Sequence, residues 1–143
     1  MVPVEYTEAY LQKYWDLFNA RYFDGKLKQV PLKWSNHMKN WGLTYSEYDY
    51  NANKIITTKI LLNKKAMKTF DRFRLVLVHE MVHQWVYQNV SQKEINEVIK
   101  SGVKPQSSKF WYKLQLSAKF EHLGKWLEKT KELIANFREI KEL

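Results

Sequence analysis

VLVHEMVHQW, residues 76–85, holds two of the four histidines in the 143-residue chain. His79 and His83 stand four apart, so on a helix they share one face, about a turn apart, with Glu80 beside the first. Two imidazoles so placed can bind one Zn2+ from the same side, while Glu80 reaches a water on the metal without ligating it. This is the HExxH arrangement, in which the metal acidifies a water and the Glu takes its proton. Shuffling this composition produces the pattern roughly once per hundred chains, so chance is a weak explanation. The motif also sits between apolar turns, where burying an ionisable triplet is costly without a use. Val76, His79, Glu80, His83 and Tyr87 share a face that is therefore not simply core.

Outward from the motif, residues 67–89 read as one long helix. Phe73, Leu75, Leu77, Val78, Met81, Val82 and Trp85 cover most of its circumference, which predicts a buried central helix. Upstream, GLTYSEYDY and KIITTKILLN flank Asn51-Ala52-Asn53. Both flanks are rich in β-formers, and the two Asn suit positive φ in a tight turn, which predicts a β-hairpin. QVPLKWS reads as a short strand, with Pro31 at an edge or a strand start. Residues 7–23 read as a helix capped by Thr7, with Leu11, Tyr14, Trp15, Phe18 and Tyr22 as its apolar stripe and Gly25 as the turn that ends it. Downstream, a short helix is expected at 92–100. Helix is expected again from 107, capped by Ser107 or Ser108, with Leu116, Phe120, Leu123, Leu127, Ile134 and Phe137 on one face and Gly124 as the only breaker. Helix, strands, helices is the order of an α+β fold, not of a doubly wound sheet. The expectation is one domain over 1–143: an N-terminal helix, a sheet of three or four strands, the HExxH helix, and C-terminal helices. Its core spans about 7–115 and its helical extension 116–143.

Composition narrows the functions. There are no cysteines, which excludes disulfides, thiolate metal sites and cysteine nucleophiles and suits a cytoplasmic setting. No run of eighteen apolar residues suggests a membrane span. The formal net charge is +9; residues 25–70 hold nine lysines against Glu47 and Asp49, so this segment carries +7 of it. Interleaved with these lysines are Trp34, Trp41, Tyr45, Tyr48 and Tyr50. Such a segment can follow a phosphate backbone and stack on bases, or be a solvated surface with its aromatics turned inward. The DNA-contact candidates, single strands included, are Lys26, Lys28, Lys33, Trp34, Lys39, Trp41, Lys64 and Lys65.

The chain resembles the SprT-like (Spartan-type) metalloprotease domain over about residues 10–115. LFNARYFDGKLKQVPLKWSN looks like that family's opening, GLTYSEYDYNANKIITTKILLNK like its hairpin and "I.LN" strand, and LVLVHEMVHQW like its catalytic helix. VKPQSSKFW falls where the family carries PHGxxF/W. The resemblance implies a zinc-dependent peptidase acting on proteins bound or crosslinked to DNA, with His79 and His83 as ligands, Glu80 as general base and acid, and the basic segment on DNA. It departs in two places. The family's third ligand, the His of PHG, aligns with Gln106, whose amide oxygen is a weaker donor than imidazole. His122 would lie about 24 Å from position 106 in a continuous helix, and His37 falls in the loop after the first strand. The zinc ribbon that often follows the domain is also absent, and a compact cysteine-free form suits a phage or bacterial source. The alternatives are a catalytically impaired SprT-like module that binds DNA or a protein partner, and a small basic binding protein with an incidental HExxH.

Overall fold

The computed structural model describes residues 3–116 and 124–143. It has the expected α+β architecture, five helices and a three-stranded sheet among the described residues. Helix α1 (Glu8–Phe23) starts at Thr7, whose Oγ1 accepts the Tyr10 N–H at 3.1 Å. Leu11, Trp15, Phe18 and Tyr22 are buried and Tyr14 half-buried, as the stripe predicts. The helix ends at Phe23 as expected, with both Asp24 (φ 54°) and Gly25 (φ 70°) in the left-handed region.

Strands β1 (Leu32–Ser35), β2 (Gly42–Asp49) and β3 (Lys54–Asn63) form a mixed sheet in the order β1-β3-β2, with β1 parallel and β2 antiparallel to β3. Pro31 precedes the edge strand β1, and its carbonyl accepts the Ile60 N–H at 3.0 Å. An edge is where a missing donor does no harm. The hairpin joins β2 to β3 as expected, but its turn differs from the one predicted. Only Asn53 takes a positive φ, 51°. The rest of the loop is organised by Asp49, whose Oδ1 accepts the Asn51 and Ala52 N–H groups at 2.9 and 3.1 Å, an Asx-type closure. The register slips between Tyr45/Lys59 and Ser46/Thr57, leaving Thr58 as the extra residue of a bulge. That slip lets Ile55, at an odd position, face inward with Ile60 and Leu62.

Helix α2 (Phe70–Gln88) carries the motif. It begins three residues later than predicted, because Thr69 caps it (Oγ1 to Arg72 N–H, 3.2 Å) and Met67 is already buried ahead of it. Phe73, Leu77, Val78, Met81 and Val82 have no exposure, while Leu75 and Trp85 are half-buried, so it is the central helix expected. Helix α3 (Gln92–Lys100) fills the predicted short segment, and α4 (Ser108–Leu116) is capped by Ser107, whose Oγ accepts the Phe110 N–H at 3.2 Å.

The single helix predicted onward from 107 is corrected. Helix α5 (Lys125–Asn136) starts after Gly124, at φ 121°, and a Cβ there would stand 2.8 Å from the Gln115 carbonyl oxygen. A continuous helix would hold those residues about 13.5 Å apart, so the chain has folded back onto α4. Residues 137–143 form no helix but a tail. Ile140, 1% exposed, enters the main core; Phe137 meets Tyr22 edge-on at 4.9 Å; Glu139 bonds Arg21 at 2.6 Å and the Tyr22 hydroxyl at 2.9 Å. The predicted C-terminal face changes accordingly. Leu116 and Ile134 are exposed, Leu127 and Phe137 half-buried, and the buried positions are Phe110, Leu114, Leu133 and Ile140. Phe120, His122 and Leu123 lie outside the described residues.

Two apolar clusters result. The larger joins α1, β1, β3, α2, Leu133 of α5 and the tail; the smaller joins the hairpin tip, the end of α2, α3 and α4. No helix among the described residues is long and apolar enough to cross a membrane.

Candidate active site

One face of α2 opens into a cleft of about 730 Å³. Val76, His79, Glu80, His83 and Tyr87, the face picked out by periodicity, all line it. Across from them stand Trp41, Gly42, Leu43 and Thr44, with Gln115 of α4 and Glu142 and Leu143 of the tail completing the wall.

The two imidazoles converge: Nε2 of His79 and Nε2 of His83 are 3.3 Å apart. Two nitrogens held at about 2.0–2.1 Å by one tetrahedral ion stand about 3.3–3.4 Å apart. The spacing therefore matches that of two ligands on one zinc ion, although the same contact is an N–H···N hydrogen bond between the rings, whose proton must leave when a metal binds. Nδ1 of His79 lies 2.9 Å from the main-chain oxygen of Leu143. Trp126 of α5 covers both rings, near-parallel to His83 (5.6 Å, 29°) and tilted against His79 (5.2 Å, 67°). Burial, reinforced by the neighbouring His79, pushes the His83 pKa down to about 4. His83 is thus neutral at neutral pH, the charge state a metal ligand requires.

Glu80 is 5% exposed. Burial raises its pKa above the usual carboxylate range, against the opposing pull of Thr44's hydrogen bond and of His79. Thr44 Oγ1 lies 2.8 Å from Glu80 Oε1 and 2.9 Å from the main-chain oxygen of the same residue. Its one proton can serve either oxygen. It donates to the carboxylate when Glu80 is charged. When Glu80 is protonated, the hydroxyl can turn to the main-chain oxygen and accept from the carboxyl. Gly42 makes the space: a Cβ there would stand 2.9 Å from Glu80 Cγ and 3.0 Å from Oε2. Tyr87, held as a neutral phenol by burial, accepts from Gln115 Nε2 at 2.7 Å.

Gly42 and Thr44 were missed from sequence. A contact across thirty-six residues depends on how β2 lies on α2, and no local spacing announces it. Two asparagines in the motifs of the resemblance also have work that spacing does not reveal. Asn19 clamps Leu27 through both its amide atoms (3.0 and 3.1 Å), which fixes the GKL segment. Asn63 Nδ2 donates to the carbonyls of Met38 and Asn40, fastening the loop that ends in Trp41.

Gln106 does not join the histidines. At φ 70° its exposed side chain turns away and donates to the Tyr48 carbonyl at 3.3 Å. His37 is exposed, on the loop after β1. Among the described residues, no group of three His, Cys, Asp or Glu is placed to hold a metal.

The basic candidates fall into two groups at the two ends of α2. Lys26 and Lys28 lie by the C-terminal end of α2, where their main chain bonds Gln88. Trp41 lies by its start, under the Arg72 guanidinium at 4.6 Å. Residues 72 and 88 are about 24 Å apart along a helix. Lys39, Lys64 and Lys65 belong to the Trp41 end, on or next to the loop that Asn63 fastens. Lys33 pairs with Glu8 at 3.0 Å. Trp34 is committed to the fold: its indole donates to the Thr7 carbonyl at 2.9 Å and stacks on Phe73. Trp41, 52% exposed, is the accessible one of the two.

The SprT-like family model matches residues 11–97, from the first turn of α1 into α3. The chain belongs to the SprT-like family. No curated protein and no solved structure matches it.

Proposed function

We propose that the protein is a zinc-dependent peptidase of the SprT-like type that acts on DNA-associated proteins. The observation that carries this reading is the 3.3 Å approach of the two Nε2 atoms, with a buried glutamate on the same helix face. Family membership supports it, since such domains are generally zinc-dependent. His79 and His83 would hold the ion, which would supply Lewis acidity toward a water and a peptide carbonyl. Glu80, whose pKa is raised by burial, takes the proton of the attacking water and returns it to the leaving amine. Thr44 keeps the carboxylate aimed through both protonation states. The cleft between β2 and α2 holds the peptide.

DNA would lie at the Trp41 end, on Lys39, Lys64 and Lys65, with Trp41 available for stacking on an unpaired base. Binding there weakens steeply with salt as counterions are released. The absence of a third acidic or histidine ligand among the described residues favours a second reading, a catalytically impaired module that keeps the binding surface.

One experiment separates the two. Wild type and Glu80→Gln are incubated with zinc and a protein crosslinked to single-stranded DNA. The first reading expects cleavage by wild type and a loss of about 10²–10⁴-fold in the variant, with DNA affinity unchanged. No cleavage by either, with DNA still bound, supports the impaired module; equal cleavage by both rules out Glu80 as the base.

A further inference from the structure

We propose that the C-terminal segment, beyond the stretch the family model matches, sets the histidine pair for metal: the Leu143 main-chain oxygen fixes the tautomer of His79, and the Trp126 indole fixes the planes of both rings. The inference rests on the reading of His79 and His83 as ligands, but its first consequence appears in the metal-free protein.

An unprotonated main-chain oxygen can only accept. At 2.9 Å from Leu143, Nδ1 of His79 must therefore carry the ring proton. A neutral imidazole has one such proton, so Nε2 of His79 is left bare and accepts from Nε2–H of His83 at 3.3 Å. The tail thus supports the ring from behind and keeps the His79 ligand atom free of its own proton. Trp126 does the complementary work, since an indole packed near-parallel on His83 and tilted against His79 resists rotation of either ring. The position of that oxygen is held from both the core and α1. Three residues earlier Ile140 is buried in the main core, and Glu139 is tied to Arg21 and Tyr22 of α1. Ligand histidines commonly donate their second N–H to such an oxygen, and loss of that partner typically costs about 10–100-fold in metal affinity.

The test is ¹⁵N NMR of the imidazoles in the metal-free protein at neutral pH, followed by zinc titration against a chromogenic chelator. Wild-type His79 is expected protonated on Nδ1 alone. A chain lacking residues 141–143 should show mixed His79 tautomers and bind zinc about 10–100-fold more weakly. Trp126→Ala should weaken zinc comparably, and Trp126→Phe, which keeps a flat ring, should recover most of the affinity. A wild-type His79 protonated on Nε2 overturns the proposal without any variant. So does a shortened chain with unchanged tautomer and affinity. If wild type binds no zinc, yet shortening scrambles the tautomer, the positioning role stands and the metallopeptidase reading falls.

Discussion

Two sets of residues brace the α2 face: Gly42 and Thr44 of β2 touch Glu80, while Trp126 and the tail touch His79 and His83. The first set lies inside the stretch matched by the SprT-like family model, and the second lies wholly outside it. Glu80 is therefore placed by residues within the matched stretch, and the two imidazoles are braced by residues beyond it. The two supports share no residue, so each can be perturbed while the other is read.

The largest effect is expected at Gly42. Gly42→Ala puts a methyl 2.9 Å from Glu80 Cγ and 3.1 Å from Leu62 Cδ2, in a space with no slack. Overpacking of this kind costs about 1–3 kcal/mol, and displacing a catalytic group by ~1 Å can cost about 10²-fold in rate. Proteolysis should fall by that order while zinc affinity, braced by the other set, holds. A parallel fall in zinc affinity would show the two supports to be coupled.

Thr44→Val comes next, since it keeps the shape and removes only the hydroxyl. Thr44 pulls the Glu80 pKa down against burial, so without it the pKa rises further. The charged form then appears at higher pH, and the acidic limb of the pH–rate profile should move upward. A downward shift would mean that Thr44 does not donate to the carboxylate.

A smaller effect is expected at the tail's anchor. The Arg21 guanidinium holds the Glu139 carboxyl at about 2. A depressed pKa stabilises the fold above the ordinary carboxylate range, and the contribution is lost as pH falls toward 2. Glu139→Gln should therefore lower Tm slightly at pH 7 and progressively less below pH 4. An undiminished difference at pH 3 would contradict the ion pair's role. No effect on zinc is expected from Gln106→Ala, because that amide is bonded to Tyr48 and not to the histidines. A measurable loss in a chelator competition would return Gln106 to the ligand set.

The sequence disclosed the parts of this molecule that depend on local spacing. His79, Glu80 and His83 fall on one helix face by arithmetic, and Thr7, the hairpin and the short helix at 92–100 follow from caps and composition. What depended on tertiary placement stayed hidden. Thr44 and Gly42 matter only because β2 crosses α2 at Glu80. The bulge at Thr58 reverses the alternation that a strand reading assumes. Trp34 and Trp41 looked equivalent in a basic, aromatic segment, yet one is stacked on Phe73 and the other faces the cleft. The fold-back at Gly124 is a packing event, and it makes a second helix and a tail out of what reads as one amphipathic run.

The central claim is that the converging Nε2 atoms of His79 and His83 are a metal site. Its most direct test is zinc stoichiometry on the full chain purified without chelators, by metal analysis and titration. Wild type should hold one zinc per chain, and Glu80→Gln should hold the same. The His79→Ala, His83→Ala double variant should hold none while keeping the wild-type circular dichroism spectrum. Zinc bound equally by wild type and the double variant, or by neither, would contradict the account.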